Sequence, residues 1–163
     1  MELQQFLELF HPLPGNHYIE VTTQVDDVSY ALSKLMQEVE GKFELVLYTQ
    51  QTPSFDEQLP EAKLQHITNL GHPFRALPRE HDIVVFKDIF SQHHNKEMLL
   101  RIAYTTLANT AEVVIVEPKG SLDIEVTKAL LEKFEFRAPN AMDILDGYDV
   151  LTAKKMHMWG NGL

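Results

Sequence analysis

The sequence of 163 residues contains no cysteine, which excludes a disulfide framework, a thiolate metal site and a cysteine nucleophile. Long apolar runs are also missing. The longest aliphatic ones, IVVF and VVIV, fall far short of the roughly 20 residues that a membrane helix needs. The first residues lack the basic start of a signal peptide. We therefore expect a soluble, unprocessed protein of the cytoplasm.

Positive charge is scarce as well. Acidic residues number 24 against 14 lysines and arginines, which gives a net charge of -10 and disfavours a phosphate-binding surface. The one local exception is AKKMHMW near the C-terminus, where two lysines stand beside a histidine and a tryptophan. Solvated lysines at a strand end explain this stretch more simply. We expect neither a nucleic-acid partner nor a membrane partner.

The length and the 44% hydrophobic content suit one domain over residues 1–163. Within residues 1–14 we expect an N-terminal capping helix. Its apolar residues at helical spacing are Leu3, Phe6, Leu7 and Phe10. The HPLPG stretch that follows cannot continue a helix.

The rest of the chain alternates between strand and helix patterns. Strands are predicted at residues 18–21, 43–48, 74–77, 81–86 and 112–118, and in the segments FEFRA and YDVLTAKKMHMW. Helices are predicted at residues 28–39, 60–67, 95–110 and 121–134, the last one capped by Ser121. Near-continuous β-branched runs are typical of parallel strands that are covered on both faces. The Asp146-Gly147 turn predicts an antiparallel final pair.

Three stretches carry a family resemblance: ALPREHDIVVF, LLRIAYTTLANTAEVVIVEP and GYDVLTAKK. They resemble the third-to-fourth strand passage, the helix with the fifth strand, and the last strand of class I S-adenosylmethionine-dependent methyltransferases. The resemblance runs from about Tyr18 to near the C-terminus. It implies a three-layer α/β/α Rossmann-like methyltransferase fold, with a mostly parallel sheet and an antiparallel C-terminal hairpin, and S-adenosylmethionine as the cofactor.

The cofactor motif of that family is degenerate here. In IEVTTQVDD, Glu20 stands at the position of the family's acid, and Thr22, Gln24 and Asp26 replace its three glycines. The second strand ends in LVLYTQQ, where the family has an acid for the ribose hydroxyls. The cofactor-binding positions that the resemblance implies are Glu20, Thr22, Thr23, Gln24, Tyr48, Thr49, Phe86 and Lys87.

The turn after the first strand has its own chemistry. Thr23-x-x-Asp26 is similar to a capping box, and Asp26 and Asp27 place two negative charges at a helix N-terminus. That end of a helix otherwise attracts anionic ligands. We expect the protein's own side chains to occupy it.

Asp88 follows the fourth strand, at the edge of the sheet where α/β proteins bind ligands. It is the candidate catalytic residue, as a general base. A solvated loop pair with Lys87 is the simpler interpretation. Glu117 and Lys119 flank Pro118 at the same edge, where they can also serve to end the fifth strand.

Other reaction types find little support. The histidines at positions 72, 81, 93 and 94 lack HxxxH spacing, and adjacent helical histidines point about 100° apart, so no metal site is expected. There is no Gly-x-Ser-x-Gly elbow and no Walker loop. The Asp-Asp pair and Lys119 are reminiscent of response-regulator receivers, but the order Pro118-Lys119 is the reverse of that family's.

Two functions remain open. One is a divergent methyltransferase that binds S-adenosylmethionine at residues 20–24, 48–50 and 86–88, with an unknown acceptor. The other is a catalytically inactive relative that acts as a partner subunit or interaction module, in a homo- or hetero-oligomer. Trp159, Met156 and Met158 suit either a contact surface or the core of the last strand.

Overall fold

The computed structural model describes residues 2–52, 59 and 62–156. Helices and strands alternate along most of this length. In chain order they are α1 (Gln4–Leu7), β1 (His17–Thr22), α2 (Asp27–Glu38), β2 (Lys42–Tyr48), β3 (Lys63–Ile67), β4 (His81–Lys87), α3 (Lys96–Thr106), β5 (Leu107–Pro118), α4 (Ile124–Lys133), β6 (Phe136–Leu145) and β7 (Tyr148–Lys155). A short 3-10 helix, Phe90–Gln92, follows β4.

The seven strands form one sheet in the order β3-β2-β1-β4-β5-β7-β6. The first five in this order are parallel, and β7 is antiparallel to both of its neighbours, β5 and β6. The predicted parallel sheet with an antiparallel C-terminal pair is confirmed. The chain builds outward from β1 in both directions, so the carboxyl ends of β1 and β4 border a crevice.

Two apolar clusters cover the two faces of the sheet. On one face, Phe6 of α1 and Leu32 of α2 pack against strand residues such as Leu45. On the other face, Leu99 of α3 and Leu131 of α4 complete the core. The fold is therefore a three-layer α/β/α arrangement, as predicted.

The N-terminal helix is shorter than predicted. Only residues Gln4–Leu7 are helical, and two further turns carry the chain to Phe10. Phe6 and Phe10 are nonetheless buried, with ring centroids 5.2 Å apart. The apolar spacing thus identified the packing residues correctly but overestimated the length of the helix.

The largest error lies between β2 and β4. The helix predicted at residues 60–67 is wrong, because Lys63–Ile67 form β3. The strand predicted at residues 74–77 is also wrong, since this segment is irregular and only Phe74 is buried in it. Pairing with β2 satisfies backbone groups that a separate helix would leave exposed at the edge of β2.

Two boundaries also differ near the end of the chain. The helix predicted at residues 95–110 ends at Thr106, and β5 begins at once. The cap of α4 is Asp123, whose side chain accepts from the backbone N–H of Val126, and Ser121 instead donates to the carbonyl of Pro118. A carboxylate directly before the first turn outcompetes a hydroxyl two residues earlier.

Strand β6 is longer than FEFRA suggests, because it continues to Leu145. Pro139 sits inside it, where the pairing with β7 shifts register between Arg137 and Asn140. Since β6 is an edge strand, a residue without an N–H is tolerated at this irregularity. Within the described residues no helix is long and apolar enough to cross a membrane. Met158 and Trp159 lie outside the described residues.

Candidate functional site

The carboxyl ends of β1, β2 and β4 bring the sequence-predicted residues to one edge of the sheet. Thr22 at the end of β1 is in register with Leu47 of β2 and with Lys87 of β4. The segments 20–24, 47–49 and 86–88 therefore border one crevice. We call this region the β1/β4 cleft.

The turn after β1 is closed by its own hydroxyl groups. The Thr22 hydroxyl donates to the carbonyl of Gln24 over 3.2 Å, and the Gln24 N–H points back to the same oxygen at 3.4 Å. Thr23 donates to the carbonyl of Asp88 over 3.1 Å. No residue from 22 to 27 has a positive φ. The threonines thus form a different turn from one that needs glycine at left-handed angles.

The N-terminus of α2 is capped by Asp26. Its side chain accepts from the backbone N–H of Val28 over 2.9 Å, while the Ser29 hydroxyl accepts from the N–H of Asp26. The capping box therefore pairs Asp26 with Ser29, not Thr23 with Asp26 as the sequence indicated. The expectation that the protein occupies this helix end itself is correct in substance.

Lys87 is the central group of the cleft. Its side chain is fully buried, and Nζ donates to Asp26 Oδ2 over 2.5 Å, to Asp88 Oδ2 over 2.6 Å and to Tyr148 Oη over 3.2 Å. Nζ also lies 4.5 Å from the centroid of the Tyr148 ring, a cation–π distance.

Burial by itself lowers the pKa of the Lys87 ammonium, but the hydrogen bonds and charges of Asp26 and Asp88 outweigh burial, so the pKa lies above its ordinary value. Lys87 is therefore charged at neutral pH. It draws the cap of α2 and the residue after β4 together across the cleft.

Glu20 lies beneath this ion cluster. It is completely buried, and its Oε1 accepts from the Ser29 hydroxyl over 2.5 Å. Its other oxygen, Oε2, has no hydrogen-bond partner among the described residues. Burial raises the pKa of Glu20 to about 8, so the group is mostly protonated at neutral pH. It does not provide the negative charge that its sequence position suggests.

Asp88 adopts an uncommon backbone conformation. Its φ is 56°, in the left-handed region, which aspartate enters more readily than most residues. Its N–H donates to the carbonyl of Val116, and its carbonyl accepts from the Gln92 side chain. The side chain thus reaches Lys87 from a fixed backbone.

Glu117 fixes the chain that follows Asp88. It is buried and accepts from the N–H of Ile89 over 3.0 Å, and from the N–H and the hydroxyl of Ser91 over 2.7 and 2.5 Å. Burial raises its pKa. Lys119 instead forms an exposed pair with Asp143. Glu117 thus positions the loop, a role that its place at a strand end did not reveal.

The remaining predicted cofactor positions are engaged in packing or local bonds. Tyr48 donates to the carbonyl of His72 over 2.6 Å, and burial raises its pKa to about 12. Thr49 accepts from the N–H of Gln51. Phe86 is fully buried, and its ring centroid lies 6.1 Å from that of Phe74 and 6.0 Å from that of Phe90.

The histidines are spread over the molecule. His81, at the start of β4, bonds the Thr106 hydroxyl over 2.7 Å, and His93, beyond the end of β4, accepts from the N–H of Asn95. Among residues 2–52, 59 and 62–156, no three histidines or acids are close enough to hold a metal ion.

The cleft does not fit S-adenosylmethionine in this conformation. The ligand carries a positive sulfonium and an amino-acid carboxylate. Lys87 ties Asp26 to Asp88 across the cleft, and Asp26 occupies the helix end that would receive the carboxylate. At the ribose position, Tyr48 is committed to His72. Two cavities of the described surface lie elsewhere, along β3 and beside α1.

Comparison with known proteins gives a fold without a sequence family. No family model matches the chain, and no curated protein matches it. Solved structures do match. A methyltransferase of Aquifex aeolicus that depends on S-adenosylmethionine superposes with a TM-score of 0.74 at 12% identity, over 95% of this chain and 90% of that chain.

Two further matching structures contain S-adenosylmethionine or a partner protein. A Haemonchus contortus phosphoethanolamine N-methyltransferase in complex with S-adenosylmethionine matches at TM-score 0.72 and 9% identity, over 95% of this chain and 52% of its own. A Haloferax volcanii complex of the Trm112 methyltransferase activator and the putative methyltransferase matches at 0.71 and 9%, over 94% and 88%. These matches and the strand order show that the chain has the class I methyltransferase-like fold.

Proposed function

We propose that this protein is a non-catalytic member of the methyltransferase-like fold and acts as a partner-binding subunit. The observation that carries the proposal is the buried Lys87 ammonium, held between Asp26 and Asp88 in the β1/β4 cleft. The ion cluster joins the two sides of the crevice that would have to separate around a ligand. In this proposal the cleft stabilises the fold and does not bind a cofactor.

The energy of this cluster opposes cofactor entry. Removing one partner from a buried ion pair costs about 3–5 kcal/mol. A ligand that displaces Lys87 from its two carboxylates must recover that amount, which corresponds to a loss of at least about a hundredfold in affinity. The sulfonium of S-adenosylmethionine has no N–H group to replace the hydrogen bonds that Lys87 donates to these carboxylates.

A partner role is supported by one of the structural neighbours. The Haloferax methyltransferase-like chain is in complex with the Trm112 activator, so a chain of this fold can assemble with a second protein. This chain covers 88% of that neighbour.

Thermal unfolding with and without S-adenosylmethionine and S-adenosylhomocysteine, up to millimolar concentration, tests the proposal. We expect no shift of the midpoint. A ligand at a hundred times its dissociation constant would add about 2.7 kcal/mol and raise the midpoint by roughly 5–10 °C in a domain of this size. An active methyltransferase with a glycine-rich turn is the positive control. A saturable rise would overturn the proposal.

The second candidate, a divergent methyltransferase, is favoured by the unpartnered Oε2 of Glu20 and by Asp88 at the sheet edge. In that function the cleft opens, residues 20–24, 48–50 and 86–88 bind the cofactor, and Asp88 acts as a base. If methyl transfer is detected, replacing Asp88 by alanine should abolish it. Unchanged activity of that variant would remove Asp88 from the mechanism.

A further inference from the structure

A cavity of about 720 Å³ extends from β3 to the starts of β2 and β4. Glu44, the third residue of β2, and His81, the first residue of β4, line its buried end, while Leu64 and Leu77 line its exposed part. We call it the His81 cavity. Its volume is in the range of specific binding sites for small molecules.

The position of the proton on His81 is fixed by two neighbouring groups. The Thr106 hydroxyl has one hydrogen, which it donates to the carbonyl of Leu77 over 2.7 Å. Its oxygen therefore accepts from His81 Nδ1, which lies 2.7 Å away. Nδ1 carries the ring proton, and Nε2 is left with a lone pair. Burial lowers the pKa of His81 to about 4, so the ring is neutral at neutral pH and keeps this tautomer.

Nε2 of His81 faces a second acceptor. Glu44 Oε2 lies 3.7 Å away, and the His81 and Glu44 side chains are only 4% and 13% exposed. This separation is longer than a hydrogen bond. Lys63 Nζ approaches the other oxygen of Glu44, Oε1, to 3.4 Å, from a side chain that is 79% exposed. Within the described residues no hydrogen bond reaches Nε2 or Oε2, so the two mostly buried acceptors form a site for a donor.

A donor with two N–H bonds satisfies both acceptors. A single nitrogen at about 2.9 Å from each atom fits acceptors that are 3.7 Å apart. A primary ammonium has three N–H bonds, and its charge complements the Glu44 carboxylate. A quaternary ammonium has none. The charges that line the cavity balance, because Lys63 and Arg75 oppose Glu44 and Glu80, so hydrogen bonding, and not net charge, selects the ligand.

The walls of the cavity are held in place by hydrogen bonds. The Gln65 side chain accepts from the N–H of Arg75 over 2.7 Å and donates to its carbonyl over 2.9 Å. Thr106 holds the carbonyl of Leu77. The segment 75–77 is thus fixed to β3 and to α3, and Leu64 and Leu77 present apolar surface, being 50% and 65% exposed. A ligand therefore meets a formed site and does not have to order it.

We propose that the His81 cavity binds a small organic molecule with a primary ammonium group on an apolar body. The ammonium donates to His81 Nε2 and to Glu44 Oε2, and the apolar body covers Leu64 and Leu77. The cavity and the β1/β4 cleft contain different residues. This binding site is therefore additional to the partner-binding function and does not depend on it.

Two amines with the same body and the same charge test the requirement for a donor. Phenethylammonium has three N–H bonds, and phenethyltrimethylammonium has none. Nuclear magnetic resonance of labelled protein should show saturable binding of the first amine at about millimolar concentration, which is typical of a ligand of this size. The second should bind at least about tenfold more weakly, because charge-assisted hydrogen bonds are lost. Equal affinities, or no saturable binding of the first amine up to about 20 mM, would overturn the proposal.

The imidazole nitrogen signals of His81 locate the bound amine. In the free protein we expect Nδ1 to be protonated and Nε2 not to be. On binding, the Nε2 signal should shift, because this nitrogen accepts a hydrogen bond. A ring protonated at Nε2, or shifts confined to other residues such as those of the cavity beside α1, would overturn the proposal.

Two glutamates of the same cavity provide matched variants. Glu44→Gln keeps the volume, but its amide supplies an N–H to His81 Nε2 and the carboxylate is lost, so phenethylammonium should bind at least about tenfold more weakly. Glu80→Gln removes the same charge from a residue that instead lies 3.5 Å from His17 Nδ1, and should change the affinity less than about threefold. Equal weakening would show that net charge holds the amine, and would overturn the proposal. Thermal midpoints confirm that both variants fold, and the comparison of the two amines on the native chain requires neither variant.

Failure of this site and failure of the proposed function are distinguishable. S-adenosylhomocysteine also carries a primary ammonium, so its titration is repeated with Glu44→Gln. A thermal shift that persists in this variant would overturn the non-catalytic function alone. A shift that the variant abolishes would place the ligand in the His81 cavity and would support the binding site inferred from the acceptor pair.

Discussion

At the scale of single residues, Lys87 exchanges its hydration for two carboxylates, one hydroxyl and an aromatic face. A charge with no exposed surface is stable only when such partners surround it. This arrangement makes the lysine a structural cation of the β1/β4 cleft. Asp26 and Asp88 depend on it in turn, since each carboxylate is mostly buried beside it.

Replacing Lys87 by methionine should lower the free energy of unfolding by about 3 kcal/mol or more, because two carboxylates lose their cation while the apolar volume is kept. Chemical denaturation measures the change. Lys133→Met is the control, since Lys133 is 66% exposed in its pair with Glu97, and it should change stability by less than about 1 kcal/mol. Equal effects would show that the cluster contributes no special stability.

The pKa of Glu20 predicts a dependence of stability on pH. Its ordinary value of 4.5 is raised to about 8 in the fold, mainly by burial. Between these values the folded chain holds a proton that the unfolded chain has released, so stability falls as pH rises and levels off above about 8. Burial lowers the pKa of His81 from 6.5 to about 4. His81 therefore changes stability between these two pH values, and it contributes little above pH 6.5.

Glu20→Gln stays neutral at every pH. Its stability relative to the native chain should therefore increase by about 2 kcal/mol between pH 6.5 and 8.5. Unfolding at several pH values measures this difference. Glu132→Gln, at an exposed position, should show no such trend. A flat difference for Glu20→Gln would mean that Glu20 is ionised in the fold.

The sequence located the residues of the cleft better than it identified their roles. Glu20, Thr22 and Lys87 were named from the family resemblance, and Asp26 and Asp88 from their places at the start of a predicted helix and after a predicted strand. Tyr148 was missed, because its contact with Lys87 requires β7 to lie beside β5. Long-range pairing of that kind leaves no local signal.

At the scale of elements, the start of α2 joins a helix cap to an ion pair. Asp26 bonds the N–H of Val28 and the ammonium of Lys87 together. Asp123 caps α4 through the N–H of Val126 at 3.1 Å. Both aspartates cap a helix, but Asp26 also binds the Lys87 ammonium, so the two caps can be compared directly.

Asp123→Ala should cost about 1 kcal/mol, the usual effect of a lost cap. Asp26→Ala should cost about 3 kcal/mol or more, because the same change also removes a partner from a buried cation. Urea denaturation of both variants gives the comparison. Equal losses would show that Asp26 acts as a cap and nothing else.

Helices and strands were predicted correctly where the local sequence pattern agrees with the packing that the fold requires. Strands β1, β2, β4 and β5 have near-continuous apolar runs that suit burial on both faces, and β7 was found from its turn. β3 was not, since Leu64 is exposed and Gln65 is half-buried, so the strand has no alternation of buried apolar and exposed polar residues. Its identity comes from the open edge of β2, which the sequence around residue 63 does not show.

At the scale of the whole molecule, the protein keeps the seven-stranded architecture of S-adenosylmethionine-dependent enzymes but fills the crevice of that architecture with its own charges. Fold was predictable from sequence because many residues specify it, whereas the state of the cleft depends on a few side chains.

Titration of S-adenosylhomocysteine into isotope-labelled protein, followed by amide nuclear magnetic resonance, tests the closed cleft most directly. The account predicts no saturable shift at residues 22–26 or 87–88 up to millimolar ligand, with the ion cluster of Lys87, Asp26 and Asp88 intact. Saturable shifts centred on those residues would contradict it, and would show that the cleft opens to a cofactor.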